Sequence, residues 1–217
     1  MQLFHERDNL IARASLVLLV LLIAGGGGAA YYVFTASPWV SRAGQVIAQP
    51  VPFSHKHHVD GVGLDCRYCH ASVETSAFAG VPPTQICMNC HTDIWVNSPM
   101  LAEDRQSWAT DRPIHWNRVY DLADFVYFNH SIHIAKGIGC VSCHGRVDRM
   151  PLTEKQASLR MAWCLDCHRD PAPNLRPRDA VFDMAWRRGP DTPSAATLVR
   201  ENHVDTAGLT DCSVCHR

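Results

Sequence analysis

The sequence predicts a mostly α-helical and irregular fold: one N-terminal transmembrane helix, then a domain with little regular sheet. Residues 14–36 carry no charged side chain and are long enough to cross a bilayer as a helix. Beyond residue 36, prolines are frequent and no strand alternates with a helix. A cysteine motif repeats through this second part.

The transmembrane prediction divides the first part of the chain into a cytoplasmic tail, residues 1–13, and the span, residues 14–36. Tyr31, Tyr32 and Trp39 stand at the far end of the span, where aromatic side chains favour the membrane surface. A cleaved signal peptide is the alternative, because small residues near the end of the span suit a peptidase. We expect an uncleaved anchor.

All ten cysteines belong to five copies of Cys-x-x-Cys-His. This spacing is the attachment signature of c-type haem, in which two thiols bond to the porphyrin and the adjacent His ligates the iron. The copies, named motifs one to five in chain order, are Cys66, Cys69 and His70; Cys87, Cys90 and His91; Cys140, Cys143 and His144; Cys164, Cys167 and His168; and Cys212, Cys215 and His216. We therefore predict five covalently bound c-type haems that form the core of the second domain.

Three other uses of paired cysteines explain the motif less well. A zinc site joins two Cys pairs, or one pair and separated histidines, and does not need a His after every second Cys. A redox-active Cys-x-x-Cys belongs with a βαβ pattern, which the sequence does not show. A disulfide framework leaves the five adjacent histidines unexplained.

A second repeat supplies candidate ligands for the opposite face of each iron. The pattern Phe-x-His-x-x-His occurs at Phe53 before motif one and at Phe128 before motif three. Histidines three residues apart lie on one face of a helical turn, so they can reach two different irons. The predicted distal ligands are His55, His58, His130 and His133.

The fifth iron has no such pattern before its motif. His203 lies nine residues before Cys212, a distance close to that of the other distal histidines, and is the first choice. Met161 and Met150 are the rivals, because a thioether ligand would give one haem of high potential. His115 is a weaker candidate.

The repeats predict the organisation of the second part. A first dihaem module covers residues 37–110, a second covers residues 111–178, and a C-terminal extension with the fifth haem covers residues 179–217. Within the second module, we expect a short helix from Thr153 to Arg169 that runs into motif four, with Leu152, Leu159 and Trp163 facing haem.

The modules resemble class III multihaem cytochromes. The whole chain resembles the pentahaem membrane-anchored cytochrome c subunit of bacterial alternative complex III, through the anchor, VPFSHKHH, CRYCH, CMNCH, FVYFNHSIH, CVSCHG, MAWCLDCHRDP and LTDCSVCHR. The class III resemblance implies that the first His of a pair ligates the local haem and the second His the next one. It therefore implies the ligand pairs His55 with His70, His58 with His91, His130 with His144, and His133 with His168.

The resemblance to alternative complex III also implies a function and partners. The chain would be a non-catalytic electron-transfer subunit of a quinol-oxidising respiratory or photosynthetic complex. Its partners would be an iron–sulfur molybdoenzyme-like subunit, quinol-site membrane subunits and a monohaem cytochrome. The acceptor would be a soluble copper protein, a cytochrome c or an oxidase. A net charge of −1 gives no reason to expect a nucleic-acid partner.

Two other functions are open from the residues. The first is a small multihaem quinol dehydrogenase that feeds a periplasmic reductase, although no Met follows the His of any motif as it often does in those proteins. The second is a catalytic reductase with an open iron, although no acid–base constellation is visible. Because c-type haem is attached outside the cytoplasmic membrane, we expect a single-pass protein with its haem domain on the periplasmic side.

Overall fold

The computed structural model describes residues 6–35 and 37–216 of the 217-residue chain. Residues 1–5 of the predicted tail, Ala36 at the end of the predicted span, and Arg217 lie outside the described residues. The predicted fold class is confirmed, because the chain is mostly helical and irregular. Among the described residues, pairing between extended segments is limited to three isolated bridges: Ala43 with Lys155, Val46 with Glu154, and Ile138 with Leu175.

The chain divides into two compact units, Met1–Arg42 and Ala43–Arg217. The first contains helix α1, Glu6–Thr35, and the short helix α2, Pro38–Ser41. Within the described residues, one segment, Arg7–Ser41, is long and apolar enough to cross a membrane. At 1.5 Å per residue, the 30 residues of α1 extend about 45 Å, more than the hydrocarbon core of a bilayer. The helix continues through Gly25–Gly28 without a break.

The second unit consists of short helices joined by irregular segments. Its α-helices are α3, Cys66–Cys69; α4, Thr84–His91; α5, Ala102–Thr110; α6, His130–Ala135; α7, Val141–His144; α8, Met161–Arg169; α9, Ala195–Glu201; and α10, Cys212–Cys215. A π-helical turn covers Lys56–Gly61, and 3₁₀ turns cover Pro99–Leu101, Val147–Arg149, Ala172–Asn174 and Arg178–Ala180. The five motifs thus lie on α3, α4, α7, α8 and α10, or begin just before them.

Polar caps begin α3, which carries motif one, and α6, which carries the second pair of predicted distal histidines. The Asp65 carboxylate accepts the backbone N–H of Arg67 at 2.8 Å before α3, and Asn129 Oδ1 accepts that of Ser131 at 2.9 Å before α6. Each cap satisfies a backbone donor that has no partner within the helix. These caps fix the first turn, and so the direction in which the functional side chains leave it.

The predicted helix from Thr153 to Arg169 is wrong in its first half. Residues 153–160 are not helical, and α8 begins only at Met161. Glu154 and Lys155 form the bridges to Val46 and Ala43 instead, and Leu159 has a φ of 56°. A left-handed residue cannot continue a right-handed helix. Tertiary pairing with the start of the second unit therefore overrides the local helical pattern.

Candidate haem-binding cavity

A connected cavity of about 2570 Å³ runs through the second unit. Ordinary ligand pockets hold about 300–1,000 Å³, so this space suits several large groups rather than one small molecule. Nine of the ten motif cysteines line it; Cys212 does not. The cavity is also lined by Leu152, Leu159 and Trp163, the three side chains that the sequence predicted to face haem.

None of the ten motif cysteines forms a disulfide. Burial, followed by the charges of Asp104 and Cys69, raises the pKa of Cys87 to about 11. Burial, followed by the charges of Cys167 and Cys164, raises the pKa of Cys143 to about 12. Burial also comes first in raising the pKa of Cys140 to about 11. The polypeptide therefore presents neutral thiols to the cavity at neutral pH.

The two Phe-x-His-x-x-His segments have the same local geometry. The Phe53 ring stacks on His58 with centroids 4.4 Å apart and meets His55 edge-on at 4.9 Å. The Phe128 ring stacks on His133 at 4.5 Å and meets His130 edge-on at 4.7 Å. Each Phe thus restricts the orientation of both histidines that follow it. The sequence showed these phenylalanines as part of a pattern but not their role.

The second His of each pair is fixed within its own turn. His58 Nδ1 lies 2.8 Å from Ser54 O, and His133 Nδ1 lies 2.7 Å from Asn129 O. A carbonyl oxygen can only accept, so Nδ1 carries the proton and donates it. The opposite nitrogen, Nε2, is then unprotonated in the neutral ring and can ligate a metal.

The first His of each pair is fixed by the other dihaem module. His55 Nδ1 lies 2.9 Å from the Thr153 hydroxyl, and His130 Nδ1 donates to Ala77 O at 2.8 Å. Thr153 follows motif three, whereas Ala77 follows motif one. Each of the two predicted modules therefore orients one candidate distal histidine of the other.

The same Nδ1 arrangement recurs at four motif histidines. Their Nδ1 atoms donate to backbone carbonyls: His70 to Gly80 at 2.7 Å, His91 to Ile94 at 3.2 Å, His168 to Leu209 at 2.8 Å and His216 to Phe125 at 3.0 Å. A metal-ligating His almost always makes such a bond, which fixes its tautomer and its plane. Among the described residues, the rings of His57, His115 and His203 make no hydrogen bond of this kind.

Three of the expected ligand pairs face each other across a gap of one iron. Ring centroids are 6.2 Å apart for His58 and His91, 6.5 Å for His130 and His144, and 6.2 Å for His133 and His168. An imidazole nitrogen lies about 2.0–2.1 Å from a metal, so two rings on opposite sides of one metal have centroids roughly 6 Å apart. The observed spacings match that geometry.

Burial keeps the inner histidines neutral. It is the largest cause that lowers the pKa of His55 to about 4, and the charges of His70 and His58 add to it. Burial also comes first for His144, whose pKa is lowered to about 4, followed by the charges of His130 and His70. The neutral imidazole is the form that ligates a metal.

Tyr120 contacts His144, the motif histidine for which no Nδ1 hydrogen bond is described above. Its ring centroid lies 4.3 Å from that of His144, and its hydroxyl accepts the Gln156 N–H at 3.0 Å. Tyr120 therefore packs against the ring and positions it. The sequence analysis missed this residue, since a lone Tyr between motifs two and three carries no pattern.

The candidates for the fifth distal ligand occupy different surroundings. His203 is exposed and has a φ of 50°; its backbone carbonyl accepts the Lys136 ammonium. Met150 is buried, at 8% exposure, whereas Met161 is 66% exposed at the first position of α8. His115 is exposed and lines the cavity.

The residues present fit c-type haem. Free thiols line a large cavity, paired imidazoles face each other at the spacing that one iron needs, and Nδ1 bonds leave Nε2 available. The described residues contain no group of three or more His, Cys, Asp or Glu side chains that could hold a bare metal ion.

Comparison with known proteins agrees with this reading of the residues. No protein-family model matches the chain. The chain is 28% identical over 175 residues to the multihaem cytochrome c subunit of menaquinone reductase from Nitratidesulfovibrio vulgaris. The alignment covers 78% of this chain and 77% of that protein.

Proposed function

We propose that this chain is a membrane-anchored pentahaem c-type cytochrome and acts as the electron-transfer subunit of a quinone-linked oxidoreductase complex. The observation that supports the proposal best is the set of three His pairs with centroids 6.2–6.5 Å apart in a cavity lined by motif cysteines. The similarity to a multihaem cytochrome c subunit supports the same function.

The ligand arrangement favours electron transfer over catalysis. When bound, c-type haem supplies a one-electron redox centre. His55, His58, His130 and His133 would fill the distal positions of four irons, opposite His70, His91, His144 and His168. A substrate would then find no open position on these irons. The protein's contribution is to hold the ligand planes fixed and to exclude water.

The attachment sites of motifs two and one adjoin. Asn89 of motif two donates its side-chain amide to the Tyr68 hydroxyl of motif one at 3.2 Å. His55 and His58, which would serve these two motifs, lie on one turn on either side of the Phe53 ring. Motif two thus lies directly beside motif one.

Motif one in turn adjoins motif three. His130 and Ser131 bond to the segment after motif one, with Ser131 N donating to Ser76 O at 3.2 Å. In the opposite direction, Lys56 N donates to Met150 O at 3.0 Å. These reciprocal bonds support a position of the first and third attachment sites at the contact between the two predicted modules.

Motif four continues the row from motif three, and motif five follows it. His130 and His133 leave one turn of α6 toward His144 and His168, so sites three and four are neighbours. His168 Nδ1 bonds to Leu209 O, just before motif five. These contacts support a row of attachment sites in the order two, one, three, four, five, and we expect electrons to enter and leave at its ends.

Two kinds of complex remain as partners. The first is a quinol-oxidising complex of the alternative complex III type, with an iron–sulfur subunit, quinol-site membrane subunits, a monohaem cytochrome and an external acceptor. The second is a small quinol dehydrogenase or quinone reductase, which the name of the similar menaquinone reductase subunit favours. In both, α1 anchors the chain in the cytoplasmic membrane with the second unit on the periplasmic side.

Intact mass and companion subunits test this function. The full-length chain, purified from membranes in mild detergent, should carry the mass of five haems that survive denaturation. Fewer than five would contradict the pentahaem assignment. Co-purification of an iron–sulfur subunit with menaquinol-oxidising activity would identify the first kind of complex; co-purification of only a soluble reductase would identify the second.

We propose Met161 ahead of His203 for the fifth distal position. Met161 lies one helical turn before Cys164 in α8. Burial, followed by the charge of Cys215, raises the pKa of Cys164, so motif five lies close to this turn. Neither Met161, whose side chain is exposed, nor His203 lines the cavity, so the closeness of α8 to motif five is the observation that favours Met161.

Met161→Ala should remove the long-wavelength Met–iron charge-transfer band in magnetic circular dichroism and lower the potential of one haem, since Met ligation raises it. His203→Ala should leave both unchanged. Loss of a ligand signal in His203→Ala, with none in Met161→Ala, would restore His203 as the ligand.

A further inference from the structure

Arg176 is a buried cation behind motif three. Its side chain is only 5% exposed. One guanidinium nitrogen, Nη1, donates to the carbonyls of Ala180 at 3.2 Å and Asp183 at 3.0 Å. The guanidinium also lies over the Trp186 ring, 4.8 Å from its centroid. Both hydrogen-bond acceptors are neutral, so they position the charge without cancelling it.

The charge of Arg176 is poorly compensated. Its buried Nε has no hydrogen-bond partner among the described residues, and no carboxylate there lies within ion-pair distance of it. The Asp183 carboxylate acts on it from farther away, but that side chain is exposed and accepts the Ala185 N–H at 2.8 Å. Because an arginine does not lose its proton in a protein, a positive charge persists here.

This charge lies directly against the loop that begins motif three. An added Cβ at Gly139 would overlap the Arg176 guanidinium, so only glycine allows this contact. Gly139 immediately precedes Cys140. The backbone is held at the same place, since Arg176 N donates to Gly137 O at 3.0 Å and Ile138 bridges to Leu175. The charge also reaches the attachment thiol: burial raises the pKa of Cys140, and Arg176 opposes that rise.

We propose that Arg176 raises the reduction potential of the haem attached at Cys140 and Cys143. A reduced iron carries one positive charge fewer than an oxidised iron, so a nearby fixed cation favours reduction. In a buried site this interaction is weakly screened. The haem at the middle of the row would thereby accept electrons from either neighbour. This inference rests on the proposed haem attachment.

A redox titration of the full-length haem protein in detergent, followed by visible absorbance, tests this role. Arg176→Gln keeps donors for the two carbonyls but removes the charge, so one of the five components should shift to lower potential. A tenfold change in its reduction equilibrium corresponds to about 59 mV for one electron. Arg176→Lys should retain most of the wild-type potential. Arg200→Gln is the matched control, because Arg200 is exposed and bonds to Thr197 in its own helix.

Two further variants make the result specific. In a His130→Ala background, the shifted component should be the one with the altered spin state, which assigns it to motif three. Asp183→Asn leaves Arg176 in place and should shift the same component upward. This variant tests the charge effect even where Arg176→Gln does not accumulate.

Unchanged potentials in both Arg176→Gln and Asp183→Asn would overturn the proposal. An equal shift in Arg176→Lys and Arg176→Gln would assign Arg176 a structural role instead. A wild-type protein without covalent haem would refute the proposed function, which is a different outcome from five haems with unmoved potentials.

Discussion

His130→Ala should open one iron to external ligands without releasing its haem. The thioethers of Cys140 and Cys143 and the bond to His144 would remain, so haem content should stay at five. The reduced variant should bind carbon monoxide at one haem, and its electron paramagnetic resonance spectrum should lose one low-spin component in favour of a high-spin one. The lost Nδ1 bond to Ala77 costs only about 1 kcal/mol, so the fold should survive.

His57→Ala is the matched control for this variant. His57 lies between the distal ligands His55 and His58 but is exposed, and its nearest aromatic contact is Trp95 at a centroid distance of 6.4 Å. Its removal should leave the spin state and carbon monoxide binding unchanged. If His130→Ala bound no carbon monoxide and kept its low-spin spectrum, the pairing of His130 with His144 would be refuted.

The repeated motifs were enough to predict the fold class and to name the candidate haem-binding residues. Phe-x-His-x-x-His has its own local geometry, because the stacking of Phe53 on His58 and of Phe128 on His133 involves residues five apart. The spacing was visible in the sequence, but the stacking of each Phe on the second His was not inferred from it. The pairing of His58 with His91 could be proposed from the resemblance, and the observed spacing is compatible with it.

Contacts between residues far apart in the chain could not be predicted from the sequence. The bond between His55 and Thr153 joins residues 98 positions apart, and no local pattern in either segment indicates it. The non-helical stretch before Met161 has the same origin, because its extended residues pair with Val46 and Ala43. No sequence pattern indicated that Arg176 would pack behind motif three either. Only a glycine next to motif three could have suggested that a side chain packs closely there.

Removal of the motif-three attachment should have the largest effect on the protein. We expect the double variant Cys140→Ser/Cys143→Ser to accumulate poorly and to lose its compact fold. Both cysteines line the cavity, and motif three adjoins both motif one and motif four. The space left by one haem is much larger than that left by a buried Leu side chain, whose removal alone costs about 2–5 kcal/mol. A typical domain is stable by only about 5–15 kcal/mol.

Cys212→Ser/Cys215→Ser provides the comparison, because it removes the same chemistry from the end of the row. Cys212 is exposed and does not line the cavity, and only Cys215 of this pair does, so water can replace the missing haem at a lower cost than at motif three. This variant should accumulate with four haems by intact mass and a melting temperature close to that of the wild type, whereas the motif-three variant should give little protein and early unfolding by circular dichroism. Equal yields and equal melting temperatures for the two variants would show that the central haem is not the core of the second unit. The difference between them measures how much more the central haem stabilises this fold than the terminal one.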